Sequence, residues 1–338
     1  MQVKLHTFDL HLRHTFTISR ESRNVQYSLI IELIQDGISG LGEATANSYY
    51  GVTIESMRAT IEGLRHELEA INLETPEKFE LWLQEKLPDQ AFLRCAFDLA
   101  ANDWYGKKLG KPLYQIWGQQ WHPKVPMTNY TIGIDSIDRM IAKVKETPWP
   151  IYKIKLGTNQ DIEIIEALRK HTDAIFRVDA NCAWSVEQTI KYSKQLKKLG
   201  VEFIEQPLPA EQIEMMPEIY AKSALPLAAD ESCRVESDVE KCARKFHIIN
   251  IKLVKCGGLT PARRMIAKAR RLGMQVMTGC MTESSVGISA IAQLLPQLDY
   301  VDMDGALLLT DDPAKGVKIE NGKVLQPLEA GSGVALRR

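Results

Sequence analysis

Residues 151–156 read IYKIKL, an apolar run of the kind that forms a β-strand, with two lysines spaced two positions apart. Side chains two positions apart lie on the same face of a strand, so Lys153 and Lys155 should point together. An isolated pair of this kind most often belongs to an edge strand whose lysines face water. The pattern that follows along the chain favours a functional face instead.

The run is one of a series of β-rich segments that alternate with amphipathic helical stretches after about residue 120. The segments are VPMTNYTIGI, YKIKLG, IFRVDAN, VEFIEQPL, LPLAADES, HIINIKL, MQVMTG and LDYVDMDG. Strands that alternate with helices at a repeat of about 25 residues predict βαβ units and a parallel sheet. Eight such strands fit a closed α/β barrel.

The first 120 residues show a different pattern, with strands first and helices second. QVKLHTFDLHL and YSLIIELIQDG predict strands, and AFLRCAFDLAANDWYGKKLG has the apolar spacing of a helix. We therefore expect an α+β domain over 1–120, with Gly110 and Pro112 marking its boundary, and the barrel over 121–310. Residues 311–338 are too few for a domain and are expected to pack back on the first one.

Composition excludes several classes of partner. The 338 residues are 45% hydrophobic with a formal net charge of −1, which offers no field for nucleic acid or an anionic membrane. The longest apolar stretches, such as YSLIIELI, are too short to cross a bilayer. Six cysteines without C-x-x-C spacing favour reduced thiols, so we expect a cytoplasmic protein. Many barrels oligomerise, which leaves a homo-oligomer open.

Charged residues recur near the ends of consecutive predicted strands: Lys155, Asp179, Glu205, Asp230 and Lys252. Neighbours in this series are 22 to 26 residues apart, which is about one strand-plus-helix unit. The carboxyl ends of barrel strands converge on one mouth, where active sites of this architecture lie. The sequence therefore predicts that these side chains meet.

Three carboxylates in one poorly solvated mouth disfavour one another's ionisation, and a hard divalent cation removes the conflict. Oxygen donors of this kind suit Mg²⁺, which takes water or substrate oxygens in its remaining positions. Pairing with arginines such as Arg177 or Arg234 would explain one carboxylate, but hardly three at matched spacing. We therefore predict a Mg²⁺ site.

The two lysines should flank whatever the metal binds, because Lys155 lies one strand before the carboxylates and Lys252 one strand after them. A metal that binds a substrate carboxylate stabilises the enediolate formed when the neighbouring α-proton leaves. One lysine can remove this proton, and a second on the opposite face can return it with inversion. If one lysine is passive, β-elimination or cycloisomerisation results. Lys153 is expected to contact the substrate carboxylate.

These motifs resemble the enolase superfamily, specifically the muconate-lactonizing-enzyme subgroup, over essentially the whole chain. They are K-x-K at 153–155, D-x-N at 179–181, E-Q-P at 205–207, D-E-S at 230–232 and NIKLVKCGG at 250–258.

The resemblance implies an α/β fold, a (β/α)7β modified TIM barrel under an α+β capping domain. It also implies Mg²⁺ on Asp179, Glu205 and Asp230, with Lys155 and Lys252 as the acid/base pair. Lys255 is interpreted as peripheral, because the family pattern places its functional lysine five residues before the first glycine.

Within the subgroup, the D-x-D of Asp302 and Asp304 resembles the dipeptide epimerases, where such a pair holds the substrate α-ammonium. A cycloisomerase or an o-succinylbenzoate synthase has no ammonium to hold. A solvated strand end, or a pair for a nearby arginine, would be the structural alternative. By the same resemblance, further substrate contacts are Thr131, Cys280, Met281 and Thr282.

Side-chain specificity in that family lies largely in a loop after the first strand, here TFTISRESRNVQY at 15–27. Members that act on Ala-Glu place an arginine there, where this chain has Glu21, with Arg20 and Arg23 nearby. We therefore predict an isomerase, a Mg²⁺-dependent two-base dipeptide epimerase for Ala-Ala-type substrates with a small or apolar second residue. The alternatives are an L-Ala-D/L-Glu epimerase, an o-succinylbenzoate synthase or cycloisomerase, and a catalytically silent binding protein.

Overall fold

The structure is a computed structural model that describes residues 1–19 and 21–337. The chain begins with an antiparallel sheet of β1 (Gln2–Ile18), β2 (Glu21–Gln35) and β3 (Ile38–Thr45), in that order. In the segment expected to form a loop at 15–27, the described residues 15–19 and 21–27 lie instead at the end of the β1–β2 hairpin. After a register shift between His11 and Phe16, pairing resumes and continues to Ile18 and Glu21.

The helices of this first domain follow the sheet. They are α1 (Ile54–Ala70), α2 (Pro76–Lys86), α3 (Ala91–Leu109) and α4 (Leu113–Ile116).

Helix α3 packs closely on β3, because β3 carries glycines at the contact. A Cβ at Gly42 would lie 2.0 Å from the carbonyl oxygen of Ala96, and one at Gly40 would lie 2.1 Å from that of Ala100. Larger residues would therefore push the helix off the sheet. The helix ends at Gly110, which has a φ of 65°.

The second part of the described chain contains an eight-stranded parallel sheet, with its strands in chain order from one end to the other. Its strands are β4 (Tyr130–Ile132), β5 (Ile151–Lys155), β6 (Ile175–Asp179), β7 (Val201–Glu205), β8 (Leu227–Ala229), β9 (Ile248–Lys252), β10 (Gln275–Gly279) and β11 (Tyr300–Asp302). Each overlaps one of the eight segments predicted from sequence, and only β5 begins outside its segment, by one residue. A parallel bridge between Thr128 and Val301 brings the last strand beside the first, so the sheet curls into a nearly closed barrel.

Helices separate these strands, which confirms the predicted (β/α)7β fold class. They are α5 (Ile137–Glu146), α6 (Asp161–Arg169), α7 (Val186–Lys198), α8 (Met216–Lys222), α9 (Asp238–Cys242), α10 (Leu253–Cys256), α11 (Leu259–Arg271) and α12 (Ser285–Ala292). The short strands β12 (Ala314–Lys315), β13 (Ile319–Glu320), β14 (Lys323–Val324) and β15 (Ala335–Leu336) follow. None of the helices in the described chain is long and apolar enough to cross a membrane.

The end of the chain returns to α3 and the turn that follows it. The amide of Gly331 donates to the carbonyl oxygen of Lys111 at 3.0 Å, and the amide of Ser332 donates to Asp103 Oδ1 at 2.9 Å. β12 and β15 pair with each other within this segment. The domain boundaries given above stay predictions.

Two buried carboxylates join the first domain to the barrel. Glu43 on β3 accepts hydrogen bonds from the amides of Ser284 and Gly287, each at 3.0 Å, at the start of α12. Asp98 on α3 accepts from the amide of Thr260 at 3.0 Å, at the start of α11. Both side chains accept hydrogen bonds from amides that have no partner within their helix, and these contacts fix the first domain against the barrel.

Candidate active site

The three predicted metal-binding carboxylates meet at the barrel mouth. Asp179, Glu205 and Asp230 each offer an oxygen, and these oxygens lie within 4.8 Å of one another. Asp179 is the direct register partner of both Lys155 and Glu205, because each residue ends its strand at the same level. Asp230 follows directly after β8. All three side chains are buried.

Gln206 holds two of the strand ends together, and sequence reasoning missed its role. Its backbone takes a left-handed conformation, with φ of 37°. Its Oε1 accepts hydrogen bonds from the amides of Asp230, at 3.0 Å, and Ser232, at 3.1 Å. The only signal in the sequence was its place beside Glu205 in the E-Q-P motif.

Asn250 was also missed, although it lies two positions before Lys252 and therefore shares its face of β9. Its amide nitrogen donates to Glu205 Oε1 at 2.8 Å. The neighbouring strand makes room for it, since a Cβ at Gly279 would lie 2.6 Å from Asn250 Oδ1. Asn250 thus fixes one oxygen of Glu205 and leaves the other directed into the carboxylate cluster.

Burial and neighbouring charges shift the pKa values of the three carboxylates in different directions. Burial, followed by repulsion from Asp179, raises the pKa of Glu205 to about 7. Burial also opposes ionisation of Asp179, but the ammonium groups of Lys155 and Lys153 outweigh it and lower the pKa of Asp179. Burial acts likewise on Asp230, whose pKa is nevertheless held well below its usual range by neighbouring lysines.

These residues fit a magnesium ion. Among the described residues, Glu205 Oε2 has no hydrogen-bond partner although it is buried. Lys153 Nζ lies 2.8 Å from it as an ion pair, but outside hydrogen-bond geometry. A buried carboxylate oxygen without a donor, beside two further carboxylates, is the acceptor that a hard cation would satisfy.

The two predicted acid/base lysines lie on opposite flanks of this cluster. Lys155 Nζ is 2.7 Å from Asp179 Oδ2, and Lys252 Nζ is 2.8 Å from Asp230 Oδ2. They come from β5 and β9, and the strands that lead to the three carboxylates lie between these two in the sheet. Burial opposes the charged form of Lys252, but Asp230 raises its pKa above the usual value.

The interpretation of Lys255 as peripheral is wrong. Its ammonium group is buried and pairs with Asp230 Oδ1, on the side of that carboxylate away from Lys252. The family spacing correctly identified Lys252 as the lysine that faces the mouth. It gave no indication that Lys255, one helical turn later, contacts the same Asp230 carboxylate.

Asp302 and Asp304 both reach the mouth, although only the first belongs to a strand. Asp302 ends β11, and Asp304 precedes a 3-10 turn at Gly305–Leu308. Asp302 accepts from Asn129 Nδ2 and from Lys153 Nζ, each at 2.8 Å. Within the described chain, these contacts come from an amide and a lysine, not from the arginine considered as an alternative.

The pKa values of the two aspartates are shifted in opposite directions. Burial opposes ionisation of Asp302, but Lys153 lowers its pKa to about 2. Burial and the neighbouring charge of Asp302 raise the pKa of Asp304 to about 7. Asp304 Oδ2 accepts a hydrogen bond from the amide of Thr131, and it still lacks a cation among the described residues. The pair is therefore suited to a positively charged ligand.

A cavity of about 310 Å³ connects these groups. Among the residues predicted as catalytic, metal-binding, substrate-binding or specificity-determining, those that line it are Glu21, Arg23, Thr131, Lys153, Lys155, Asp230, Lys252, Cys280, Met281, Thr282, Asp302 and Asp304. Asp179 and Glu205 are not among these lining residues, but both form ion pairs with Lys153, which lines the cavity. Arg20 lies outside the described residues.

Glu21 and Arg23 compensate each other at the rim of this cavity. The Arg23 guanidinium forms an ion pair with Glu21 Oε1 and donates to Gln26 Oε1. Ser48 Oγ, in the segment that follows β3, donates to Glu21 Oε2 at 2.9 Å and braces the pair. Apolar side chains also line this cavity, among them Phe16, Ile18, Tyr50, Met281 and Leu308.

Comparison with known proteins agrees with this geometry. Residues 2–118 match the family described as "Mandelate racemase / muconate lactonizing enzyme, N-terminal domain", and residues 136–338 match "Enolase C-terminal domain-like".

Curated relatives are similar over most or all of their length. An L-Ala-D/L-amino acid epimerase of Maribacter sp. is 60% identical over 339 residues, which is all of both chains. An L-Ala-D/L-Glu epimerase of Bacteroides thetaiotaomicron is 39% identical, over 99% of this chain and 88% of that protein.

Solved structures share the fold. A dipeptide epimerase from Cytophaga hutchinsonii, complexed with Mg and the dipeptide D-Ala-L-Val, superposes with a TM-score of 0.93 at 26% identity. The match covers 99% of this chain and 95% of that one.

These findings confirm the class of protein predicted from sequence. Its relatives are epimerases, so the protein is an enzyme, an isomerase. Its cofactor is Mg²⁺, in agreement with the three clustered carboxylates and with the Mg-bound neighbours. The chain belongs to the enolase superfamily, in the group of the mandelate racemases and muconate lactonizing enzymes.

Proposed function

We propose that the protein is a Mg²⁺-dependent dipeptide epimerase that inverts the α-carbon of the C-terminal residue by two-base proton transfer. One observation carries this proposal. Two lysines flank a carboxylate cluster, and a pair of aspartates suited to an ammonium group lies in the same cavity. The relatives named above are epimerases of dipeptides, which supports the same reaction class.

The aspartate pair would bind the α-ammonium of the substrate. Asp302 already balances Lys153, whereas Asp304 is held near neutrality by burial and by Asp302. An arriving ammonium group would stabilise the ionised form of Asp304 and so complete the pair. This feature favours a dipeptide over the substrates of a cycloisomerase or an o-succinylbenzoate synthase, which offer no ammonium.

The metal cluster would receive the other end of the substrate. When bound to Asp179, Glu205 and Asp230, Mg²⁺ supplies Lewis acidity that stabilises negative charge developing on the substrate carboxylate. Lys153 lies between this cluster and Asp302, where its ammonium can donate to the same carboxylate. The dipeptide would thus span the cavity from the aspartate pair to the metal.

Proton transfer would then use the lysines on the two flanks. A lysine in its neutral form accepts the α-proton from one face, and the protonated lysine on the other face returns a proton. Since Lys155 and Lys252 come from opposite sides of the cluster, removal by one and delivery by the other inverts the centre. Exchanging the roles of the two lysines gives the reverse reaction.

We further propose that the substrates are Ala-containing dipeptides with a small or apolar second residue. The rim charges of Glu21 and Arg23 neutralise each other, and the apolar side chains of Phe16, Ile18 and Leu308 line the same cavity. The Maribacter relative is named for L-Ala-D/L-amino acid substrates, and the Cytophaga neighbour holds D-Ala-L-Val. The second candidate activity is L-Ala-D/L-Glu epimerisation, because the cationic Arg23 lines the cavity and the Bacteroides relative is named for that activity.

The decisive experiment is α-proton exchange in D₂O. The protein is incubated with Mg²⁺ and a panel of L-Ala-X dipeptides, and gains of one mass unit are measured by mass spectrometry. We expect gains with neutral and apolar X, and loss of exchange after treatment with EDTA. Absence of exchange with every dipeptide would overturn the proposal and favour the elimination branch.

A further inference from the structure

Lys255 binds the back of a proposed metal ligand. It lies on the short helix α10, and its ammonium donates to two oxygens of Asp230, the carboxylate Oδ1 and the backbone carbonyl. A third hydrogen bond, of 3.2 Å, goes to the carbonyl oxygen of Cys233. The side chain is 0% exposed, so these three acceptors surround a fully buried cation.

The two oxygens of Asp230 therefore have different partners. Lys255 holds Oδ1, whereas Lys252 lies 2.8 Å from Oδ2. Lys252 lines the cavity, but Lys255 is absent from its lining in the described structure. The first lysine can reach a substrate, and the second can act only through Asp230.

We propose that Lys255 is a positioning residue that keeps Asp230 directed at Mg²⁺. This inference rests on the function proposed above, in which Lys252 transfers a proton to or from the substrate. When Lys252 turns toward the substrate, Asp230 loses one of its two ammonium partners. Lys255 then still holds Oδ1 and the backbone carbonyl of Asp230, so the carboxylate stays in place at the barrel mouth.

A lysine suits this position for a physical reason. A buried carboxylate without a compensating charge is strongly disfavoured, and Lys255 supplies that charge at a distance from the chemistry. The bonds to two backbone carbonyls fix the ammonium in turn, because they tie it to the turn between Asp230 and Cys233. That turn is closed by a hydrogen bond of 3.1 Å from the Cys233 amide to the Asp230 carbonyl.

Calorimetric Mg²⁺ binding to the full chain without substrate tests this role. In K255M we expect a dissociation constant about 10- to 100-fold weaker than in the unaltered protein, as for other partners of metal ligands. The control is K268M, which removes a lysine paired with Glu240 at the barrel surface and should leave binding unchanged. Raising the Mg²⁺ concentration should restore α-proton exchange in K255M, which a general folding defect would not allow.

A second variant keeps the test decisive if K255M does not fold. K255Q retains a hydrogen-bond donor but no charge, and it should also bind Mg²⁺ more weakly than the unaltered protein. A folded variant of either kind with Mg²⁺ affinity within twofold of the unaltered protein would overturn the inference. Because binding is measured without substrate, failure of this inference is separate from failure of the epimerase proposal, which α-proton exchange tests.

Discussion

Lys155 and Asp179 are register partners on adjacent parallel strands, and Lys155 Nζ lies 2.7 Å from Asp179 Oδ2. The partnership follows from strand geometry, since both residues end their strands at the same level of the barrel. It places a proposed proton-transfer group directly beside a proposed metal ligand. On the opposite flank Lys252 Nζ lies 2.8 Å from Asp230 Oδ2, which again places a proposed proton-transfer group beside a proposed metal ligand.

The first prediction concerns these two lysines. In K155A and K252A we expect epimerisation to fall by about 10²- to 10⁴-fold, because each variant loses one of two proton-transfer groups. Each should still exchange the α-proton of one stereoisomer, since the remaining lysine serves one face. The measurement is deuterium incorporation with separate L,L and L,D dipeptides.

K245M serves as the control, because Lys245 pairs with Glu214 away from the mouth. Its epimerisation and exchange should both stay unchanged. Full exchange of both stereoisomers in K155A or K252A would contradict the assignment of one face to each lysine.

The second prediction concerns recognition of the ammonium group. D304N keeps an acceptor for the Thr131 amide but removes the charge, so kcat/KM for dipeptides should fall by about 10- to 100-fold. An N-acetylated dipeptide, which has no ammonium, should be a poor substrate for the unaltered protein and lose little further in D304N. Equal losses with both substrates would argue against this role for Asp304.

The third prediction is a change of substrate preference. In E21Q the Arg23 guanidinium loses its ion-pair partner at the cavity rim. We expect kcat/KM for L-Ala-L-Glu to rise about tenfold relative to L-Ala-L-Met, which corresponds to about 1.4 kcal/mol of added attraction. S48A, which removes only the hydroxyl that braces Glu21, should shift the ratio less. An unchanged ratio in E21Q would show that the rim pair does not select the side chain.

The fourth prediction concerns stability and pH. Burial raises the pKa of Asp98 to about 7 in the folded protein. Folded Asp98 therefore keeps a proton that the unfolded chain releases near pH 4. The stability that comes from this proton is fully present below that pH. As the pH rises toward 7 this stability is lost, and the free energy of unfolding falls by on the order of 4 kcal/mol.

D98N should remove this dependence, since asparagine is neutral throughout. Urea unfolding at pH 5 and pH 8, with EDTA present, should show a smaller difference between the two pH values in D98N than in the unaltered protein. Other buried carboxylates such as Glu283, whose pKa burial raises to about 8, contribute in the same direction to both proteins. Identical pH differences in the two proteins would contradict the prediction.

Local patterns were enough to predict much of this molecule. Strand and helix periodicity depend on residues a few positions apart, so the eight barrel strands could be found in order. Once that order was known, Asp179, Glu205 and Asp230 could be placed at one mouth, because parallel strands end at the same side. Because the strands end at the same level, the oxygens of these three carboxylates lie within 4.8 Å of one another in the folded chain.

The 15–27 segment shows where local patterns fail. It was expected to be a loop because the family resemblance described one, whereas Phe16 and Ile18 extend β1 as a hairpin against β2. Pairing across a register shift depends on both strands together. The position of Glu21 beside Arg23 and Ser48 follows from that hairpin and from its contact with the segment after β3.

The order of the strands, the residues at their ends and the family resemblance could all be predicted, because they depend on spacing along the chain. Which side chains support the site became clear from the folded structure. Lys255 meets Asp230 from 25 residues away, Asn250 meets Glu205 from 45, and Glu43 meets Ser284 from 241. Such contacts depend on how helices and strands pack in three dimensions, and no spacing rule along the chain encodes them.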